Sequence, residues 1–291
     1  MADRDHRRQT AYSDPRAYAQ LVSALPATVP ELGAVVRNVL VHYRGGLDFP
    51  PDRLEEIESR WVDRMIGHDQ RRFPGVPLAR ERAPEERVVG CCRDFTLLTV
   101  ATLRLHGVPA RSRVGFADYL QPEFHVDHVI TEWWDGSRWI AADTEFDPAA
   151  GLPVDPLDVP LADGGLVPAS RVWQAFRRGE LDPSTYGVGP GVPIGGGWFI
   201  RDYVLHEAAH RYGDELLLWD RFGAMSHDLD GDLGLIDEVA ALLVAADAGD
   251  EAAERRLAGW YATDDRLHPG PAIVSESPRG SVTKVDLAAR A

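Results

Sequence analysis

The sequence predicts an α+β fold in which a buried helix with a cysteine at its start packs on an antiparallel sheet, with helices flanking that core. Three observations predict it. From Arg93 to His106 the apolar positions surround the helical axis instead of lining one side, which marks a helix enclosed by protein. Just beyond it, "ARSRVGFADYL", "HVITEWW" and "RWIAADTEF" are rich in β-branched and aromatic residues and read as strands. Helical periodicity returns on both sides of this strand-rich stretch.

In chain order, residues 1–84 are expected to form a helical N-terminal part of the core. Its helices are "ELGAVVRNVLVHY" (31–43) and "LEEIESRWVDRMI" (54–66), the second with Leu54, Ile57, Trp61 and Met65 on one face. Residues 71–88 contain three prolines in an arginine-rich polar mix and read as a loop. The core proper is expected over 85–150, with Gly107 and then Pro109 stopping the buried helix. Residues 151–197 are dense in glycine and proline and read as a covering loop with one short helix near "SRVWQAF". Helices are expected again over 198–265, at about 199–222 and 234–261, followed by a polar tail, 266–291, without fixed structure. No internal repeat is visible, and one compact unit is expected in preference to two independent domains.

Composition narrows the partners. Thirty-one basic and 46 acidic residues give a formal charge of −15, which repels phosphate backbones and anionic lipid, so neither nucleic acid nor a membrane is expected as partner. The N terminus, "MADRDHRRQTAYSDP", has charge where a secretory signal is apolar, and no window approaches the roughly 18 apolar residues of a membrane span. The expected location is the cytoplasm. The only two cysteines, Cys91 and Cys92, are adjacent, so they build no disulfide framework and read as free thiols of a reducing compartment.

A thiol in the first turn of a helix is stabilised as the anion by unpaired backbone N–H groups and the helix dipole, and the same amides can hold an oxyanion. Both cysteines stand there. The nucleophile needs a base, and the base an orienting group. Asp135-Gly136 suits a two-residue hairpin turn, and that register sets His128 opposite Asp143 on one sheet face. A four-residue loop would set His128 opposite Glu145 instead; the two-residue register, and so Asp143, is preferred. His125 is a second candidate base, on the opposite sheet face from His128.

"GCCRDF", "LRLHGVPARSRVGF", "DHVITEW" and "RWIAADTEFDP" together resemble the core of the transglutaminase-like superfamily of papain-type thiol enzymes, over about residues 85–148. The resemblance implies a transglutaminase-like, papain-like fold with Cys92 as nucleophile, His128 as base and Asp143 as the third member, and leaves Cys91 in a variable slot as a packing residue. It implies acyl transfer through a cysteine thioester: transamidation, amide synthesis or amide and peptide hydrolysis. A protein, peptide or small-molecule amide would donate the acyl group and an amine or water accept it, with no cofactor and no metal. After the base the family commonly has a small residue and tryptophan, where this chain has Val129 and Ile130; its aromatic weight lies at Trp133, Trp134 and Trp139, which bears on the acceptor channel.

Other motifs compete. "HEAAH" has the spacing of a zinc peptidase, with His206 and His210 as ligands and Glu207 as base, but Leu216 stands where a third histidine would, and Asp214 and Glu215 are too close on the helix to complete a tetrahedral site. The preferred reading is an amphipathic helix packed beside the core, as in the helical region that follows the core in similar bacterial transglutaminase-like proteins, with a zinc-dependent hydrolase using His206, Glu207 and His210 as the alternative. A non-catalytic binding module of the same fold is the other alternative. "DLDGDLG" (228–234) has calcium-loop acidity but Leu233 and Val239 where glycine and glutamate belong, and reads as a turn capping the next helix. Arg71, Arg72, Arg80, Arg82 and Arg87 are expected in surface salt bridges, with an acidic substrate as the alternative partner.

Overall fold

A computed structural model describes residues 5–290. The chain opens with α1 (Ala19–Ser23), α2 (Val29–Val39), β1 (Leu40–His42), α3 (Pro51–Leu54) and α4 (Val62–Arg72). Helix α2 buries Val29, Leu32, Val36 and Val39, the one-sided stripe its periodicity demands. The single helix expected over 54–66 is divided: a 3₁₀ turn covers Glu55–Glu58 and Trp61 is extended before α4 begins. The reason is Glu56, whose buried carboxylate accepts from the Val89 amide (2.9 Å), from Arg53 Nε (3.0 Å) and from Arg72. Periodicity within a 13-residue window cannot register partners that lie 33 positions away.

Strand β2 (Val88–Gly90) pairs in parallel with β1 and leads into α5 (Cys92–Leu105), of which every residue from Cys92 to Arg104 is buried. Gly107, with φ of 75°, ends that helix as expected. Then come β3 (Ala110–Gln121), β4 (Phe124–Trp134) and β5 (Trp139–Ala142). The β4–β5 loop corrects the expected register: it has four residues, 135–138, with Trp134 opposite Trp139 and Thr131 opposite Ala142. Asp135 dictates this. Its carboxylate oxygen accepts from the Ser137 amide (2.7 Å), the Ser137 hydroxyl (2.8 Å) and the Arg138 amide (2.8 Å), so the side chain closes a wider turn than Asp-Gly alone would make.

The remainder holds β6 (Leu166–Pro168), α6 (Ala169–Arg177), β7 (Tyr186–Gly187), α7 (Gly197–Tyr212), β8 (Asp220–Arg221), α8 (Leu233–Asp247), α9 (Glu251–Tyr261), β9 (Ala272–Glu276) and β10 (Val282–Asp286). The helix expected over 199–222 stops at Gly213 (φ 84°), and the one expected over 234–261 is cut at Gly249 (φ 91°), after which Asp250 caps α9. Left-handed glycines of this kind end helices wherever they fall. The segment expected as a tail instead contributes β9 and β10, antiparallel to each other, with Ile273 and Ser275 buried. Its alternation is short and polar on the outer face, so it reads as tail in sequence although β8 supplies the partner for β9.

The main sheet runs β5-β4-β3-β6, antiparallel between β4 and β5 and between β3 and β6, with β7 added in parallel to β4; a second, three-stranded sheet runs β10-β9-β8. The protein is thus a mixed helix and antiparallel-sheet fold. Its chain forms two compact units that interleave in sequence, one of residues 5–112 and 129–159, the other of residues 113–128 and the chain from 160 onward. Among the described residues no helix is long and apolar enough to cross a membrane.

Candidate active site

In the unit of residues 5–112 and 129–159, the turn from β2 into α5 is set by two side chains and a glycine. Asp94 reaches back so that its Oδ2 accepts the Cys91 amide (2.9 Å), while its own amide donates to the Cys91 carbonyl (2.8 Å). A Cβ on Gly90 would stand 2.8 Å from that Oδ2, so only glycine leaves room for the carboxylate. Arg93 Nη1 donates to Asp94 Oδ1 (2.9 Å) and its Nη2 to the Arg60 carbonyl, holding the carboxylate from the other side. The spacing Gly90, Cys92, Asp94 is therefore a helix-capping device that presents residue 92 at the first helical position, where backbone N–H groups are unspent by the helix.

Both thiols are free and buried, Cys92 at 7% exposure and Cys91 at 3%. Burial pushes the Asp94 carboxyl up from its ordinary range, against the pull of the Arg93 guanidinium and the Cys91 amide. The Cys91 thiol is pushed well up by its hydrogen bond to Cys92, by burial and by the Asp94 charge. Two adjacent sulfurs beside a carboxylate cannot both ionise cheaply.

Helix α5 also fixes the strands that follow it. Thr96 Oγ1 donates to the Val129 carbonyl (2.8 Å), fastening β4 one turn from Cys92 at the residue bonded to His128. Thr99 Oγ1 and Thr144 Oγ1 share a hydrogen bond (2.8 Å), fastening the residue next to Asp143. Arg37 of α2 completes this hold, donating through Nη1 to the Thr144 and Phe146 carbonyls (3.3 and 3.0 Å). Asp143 is buried one residue beyond β5; its amide donates to the Pro156 carbonyl (2.7 Å) and its Oδ1 accepts the Glu145 amide (3.2 Å). Glu56, Thr96, Thr99 and Arg37 escape a motif search because each acts on a group far away in sequence, and polar residues on an otherwise apolar helix are the one sequence sign of the two threonines.

His128, buried on β4, belongs to the other unit, where its ring lies edge-on to Tyr119 at 6.2 Å. The two-residue loop expected to set His128 opposite Asp143 is corrected: the loop has four residues and the paired register ends at Thr131 opposite Ala142, before either residue. His125 is engaged elsewhere, donating from Nδ1 to Asp118 (2.5 Å) and stacking on Tyr186 at 4.1 Å. Trp134 and Trp139 cross at the hairpin tip, 5.9 Å apart, with Arg111 over Trp139.

The zinc-like triplet is committed to packing. Glu207 Oε2 accepts the Ser170 amide (2.7 Å) at the start of α6, and Oε1 accepts from the Ser170 hydroxyl (3.1 Å) and Arg113 (3.3 Å). His210 donates from Nε2 to the Leu216 carbonyl (3.1 Å), so that nitrogen holds its proton. Burial presses the His206 pKa down to about 3, a neutral ring wedged against Tyr203 and Phe222. With its carboxylate capping a helix and paired to a guanidinium, Glu207 has no capacity left to act as a base on a metal-bound water. Asp232 caps α8 by accepting the Leu235 amide (3.1 Å), as the turn reading of 228–234 expected. Two of the arginines before β2 turn inward, Arg82 fully buried against Asp69 (2.9 Å) and over Phe73 and Arg72 serving Glu56, while Arg71 and Arg80 stay exposed.

Comparison with known proteins agrees with this part of the chain. A family model described as Transglutaminase-like superfamily matches residues 51–144, a span containing Cys92, His128 and Asp143. No curated protein matches. A solved structure, a candidate cysteine protease from Cytophaga hutchinsonii, is similar at 20% identity and a TM-score of 0.33, covering 52% of this chain and 46% of that one.

Proposed function

We propose that this protein is a thiol enzyme that transfers acyl groups through a thioester on Cys92, with His128 as general base and Asp143 orienting the imidazole. The observation that supports it most is Cys92 at the first position of buried α5, inside a segment matching the transglutaminase-like superfamily. In the first step His128 takes the Cys92 proton and the sulfur attacks the carbonyl carbon of an amide. The carbonyl oxygen becomes an oxyanion, which the Cys92 amide at the start of the helix is suited to hold. Collapse breaks the C–N bond as the imidazolium gives its proton to the leaving amine, and the thioester remains. An amine or water then attacks, passing its proton to His128, and releases the new amide or acid with the thiol restored. Asp143 stays ionised throughout and steadies the tautomer.

Two cysteines outside any disulfide support a reducing compartment, the cytoplasm, and a charge of −15 favours peptide or small-molecule amides over nucleic acid or lipid as substrates. Intact-mass and peptide mapping after incubation with an activated amide or thioester donor tests the reading. An acyl adduct is expected on Cys92, lost in Cys92→Ala and slowed about 10²-fold or more in His128→Ala. An adduct on Cys91, or none on the wild type, would end the proposal. Supplying a primary amine separates transamidation from hydrolysis by the product released.

A further inference from the structure

We infer that Tyr119 is a positioning residue for His128: its ring, set edge-on against the imidazole, fixes the plane in which that imidazole takes and returns a proton. The inference rests on the proposed role of His128 as base and adds a residue that lies outside the motifs carrying the resemblance.

Alternation along two neighbouring strands places the pair together. Strands β3 and β4 are adjacent in the main sheet, and successive side chains on each point to opposite faces. One of those faces is tied down by partners. Phe116 of β3 packs against Tyr186 (5.2 Å) and Tyr203 (5.3 Å), and Asp118 accepts from the Gly164 amide (2.8 Å) and from His125 Nδ1 (2.5 Å). From β4, His125 stacks on the same Tyr186 (4.1 Å) and Asp127 accepts the Tyr203 hydroxyl. Phe116 and Asp118, His125 and Asp127 thus bind β7, α7 and the chain at Gly164 on that side. Tyr119 and His128, each next in sequence to one of these anchors, are turned to the other face, where both are buried, at 5% and 3% exposure.

There the two rings meet with centroids 6.2 Å apart and planes at 82°, within the range of edge-to-face aromatic pairs. Such a contact depends on ring angle: turning the imidazole about χ2 loses the perpendicular packing, and that torsion is broad and soft when nothing opposes it. A general base works only while its ring nitrogens point at their partners. An aliphatic side chain of similar bulk would fill the space without preferring one ring angle.

The test is the rate of Cys92 alkylation by iodoacetamide against pH, located by peptide mapping, in wild type, Tyr119→Leu and Tyr119→Phe, each also in a His128→Ala background. Tyr119→Leu is expected to slow Cys92 about five-fold at pH 7, the worth of one aromatic pair, and to move the profile to higher pH, because an imidazole free to turn supports the thiolate less well. Tyr119→Phe keeps the ring and restores the profile. In the His128→Ala background Tyr119→Leu slows Cys92 no further, which a merely structural contribution would not reproduce. An unchanged profile in Tyr119→Leu overturns the inference, as does a Tyr119→Phe profile that matches Tyr119→Leu, or equal slowing with and without the imidazole. If Tyr119→Leu does not fold, Tyr119→Met, which fills the space without a ring, is read by the same outcomes. A wild-type Cys92 that alkylates as an ordinary thiol, with a midpoint at about 8.5, removes both this inference and the proposed function. A reactive wild type with an unchanged Tyr119→Leu removes this inference only.

Discussion

Gly90 and Asp94 show how much of the site is decided at single residues. Asp94 is read most simply as a charged neighbour of the nucleophile, yet its two oxygens are spent on the Cys91 amide and Arg93, and its role is to shape the helix start. Gly90 has no Cβ because that carboxylate occupies the space, 2.8 Å away. Gly90→Ala therefore forces either the carboxylate or β2 to move and should destabilise the protein by about 1–3 kcal/mol, as overpacking does. Urea unfolding measures it; an unchanged midpoint would mean that Asp94 leaves the cap without cost. The Gly-x-Cys-x-Asp spacing was legible in sequence, but the capping geometry behind it was not, since spacing cannot say which oxygen meets which amide.

Helix α7 teaches the same lesson at the scale of an element. Its "HEAAH" spacing has the ligand pattern of a metal site, yet without a third ligand the packed face is the preferred reading. What separates them is the start of α6 and the guanidinium of Arg113, which claim Glu207. Two opposed pH effects follow. Burial raises Glu207 from 4.5 to about 7, so the folded state holds a proton that the unfolded state lacks, and its contribution is lost as pH rises from 4.5 to 7. Burial lowers His206 from 6.5 to about 3, so the unfolded state takes up the proton and stability is lost as pH falls below 6.5. Between 4.5 and 6.5 the two slopes, each about 1.4 kcal/mol per pH unit at most, offset one another. His206→Phe, which keeps a ring against Tyr203 and Phe222, should leave stability falling with rising pH over that range. Glu207→Gln should leave it falling with decreasing pH. Denaturant midpoints at pH 4.5, 5.5 and 6.5 read both slopes, and parallel profiles for the two variants would refute the assignment.

For the whole molecule the dominant quantity is a formal charge of −15. The arginines are largely consumed in pairs such as Arg82 with Asp69 and Arg113 with Asp247, so the acidic excess is left facing solvent and repels itself. Raising salt from about 0.01 to 0.15 M should raise the melting temperature by a few degrees, as the Debye length falls from about 30 to 8 Å. A drop in melting temperature would show that exposed ion pairs outweigh the repulsion.

Sequence by itself determined the helix class of α5, its enclosure by protein, its stop at Gly107 and the strand character of β3, β4 and β5. Those follow from local periodicity and from glycine's freedom at positive φ, which need no distant partner. It also marked the cysteine pair at a helix start, a local feature, and the resemblance to the transglutaminase-like pattern chose Cys92 within it. Tertiary structure alone decided the β4–β5 register, the break before α4, the pairing of β9 and β10, and the fate of the histidines on α7. In three of these a polar group had to find its partner: Asp135, exposed at the turn, its turn amides, buried Glu56 the Val89 amide, and buried Glu207 the Ser170 amide; β9 needed β8 as its ladder neighbour. A buried hydrogen bond left unmade costs about 1–3 kcal/mol, enough to override a local preference worth a few tenths per residue, and its partner is chosen by the fold and not by spacing.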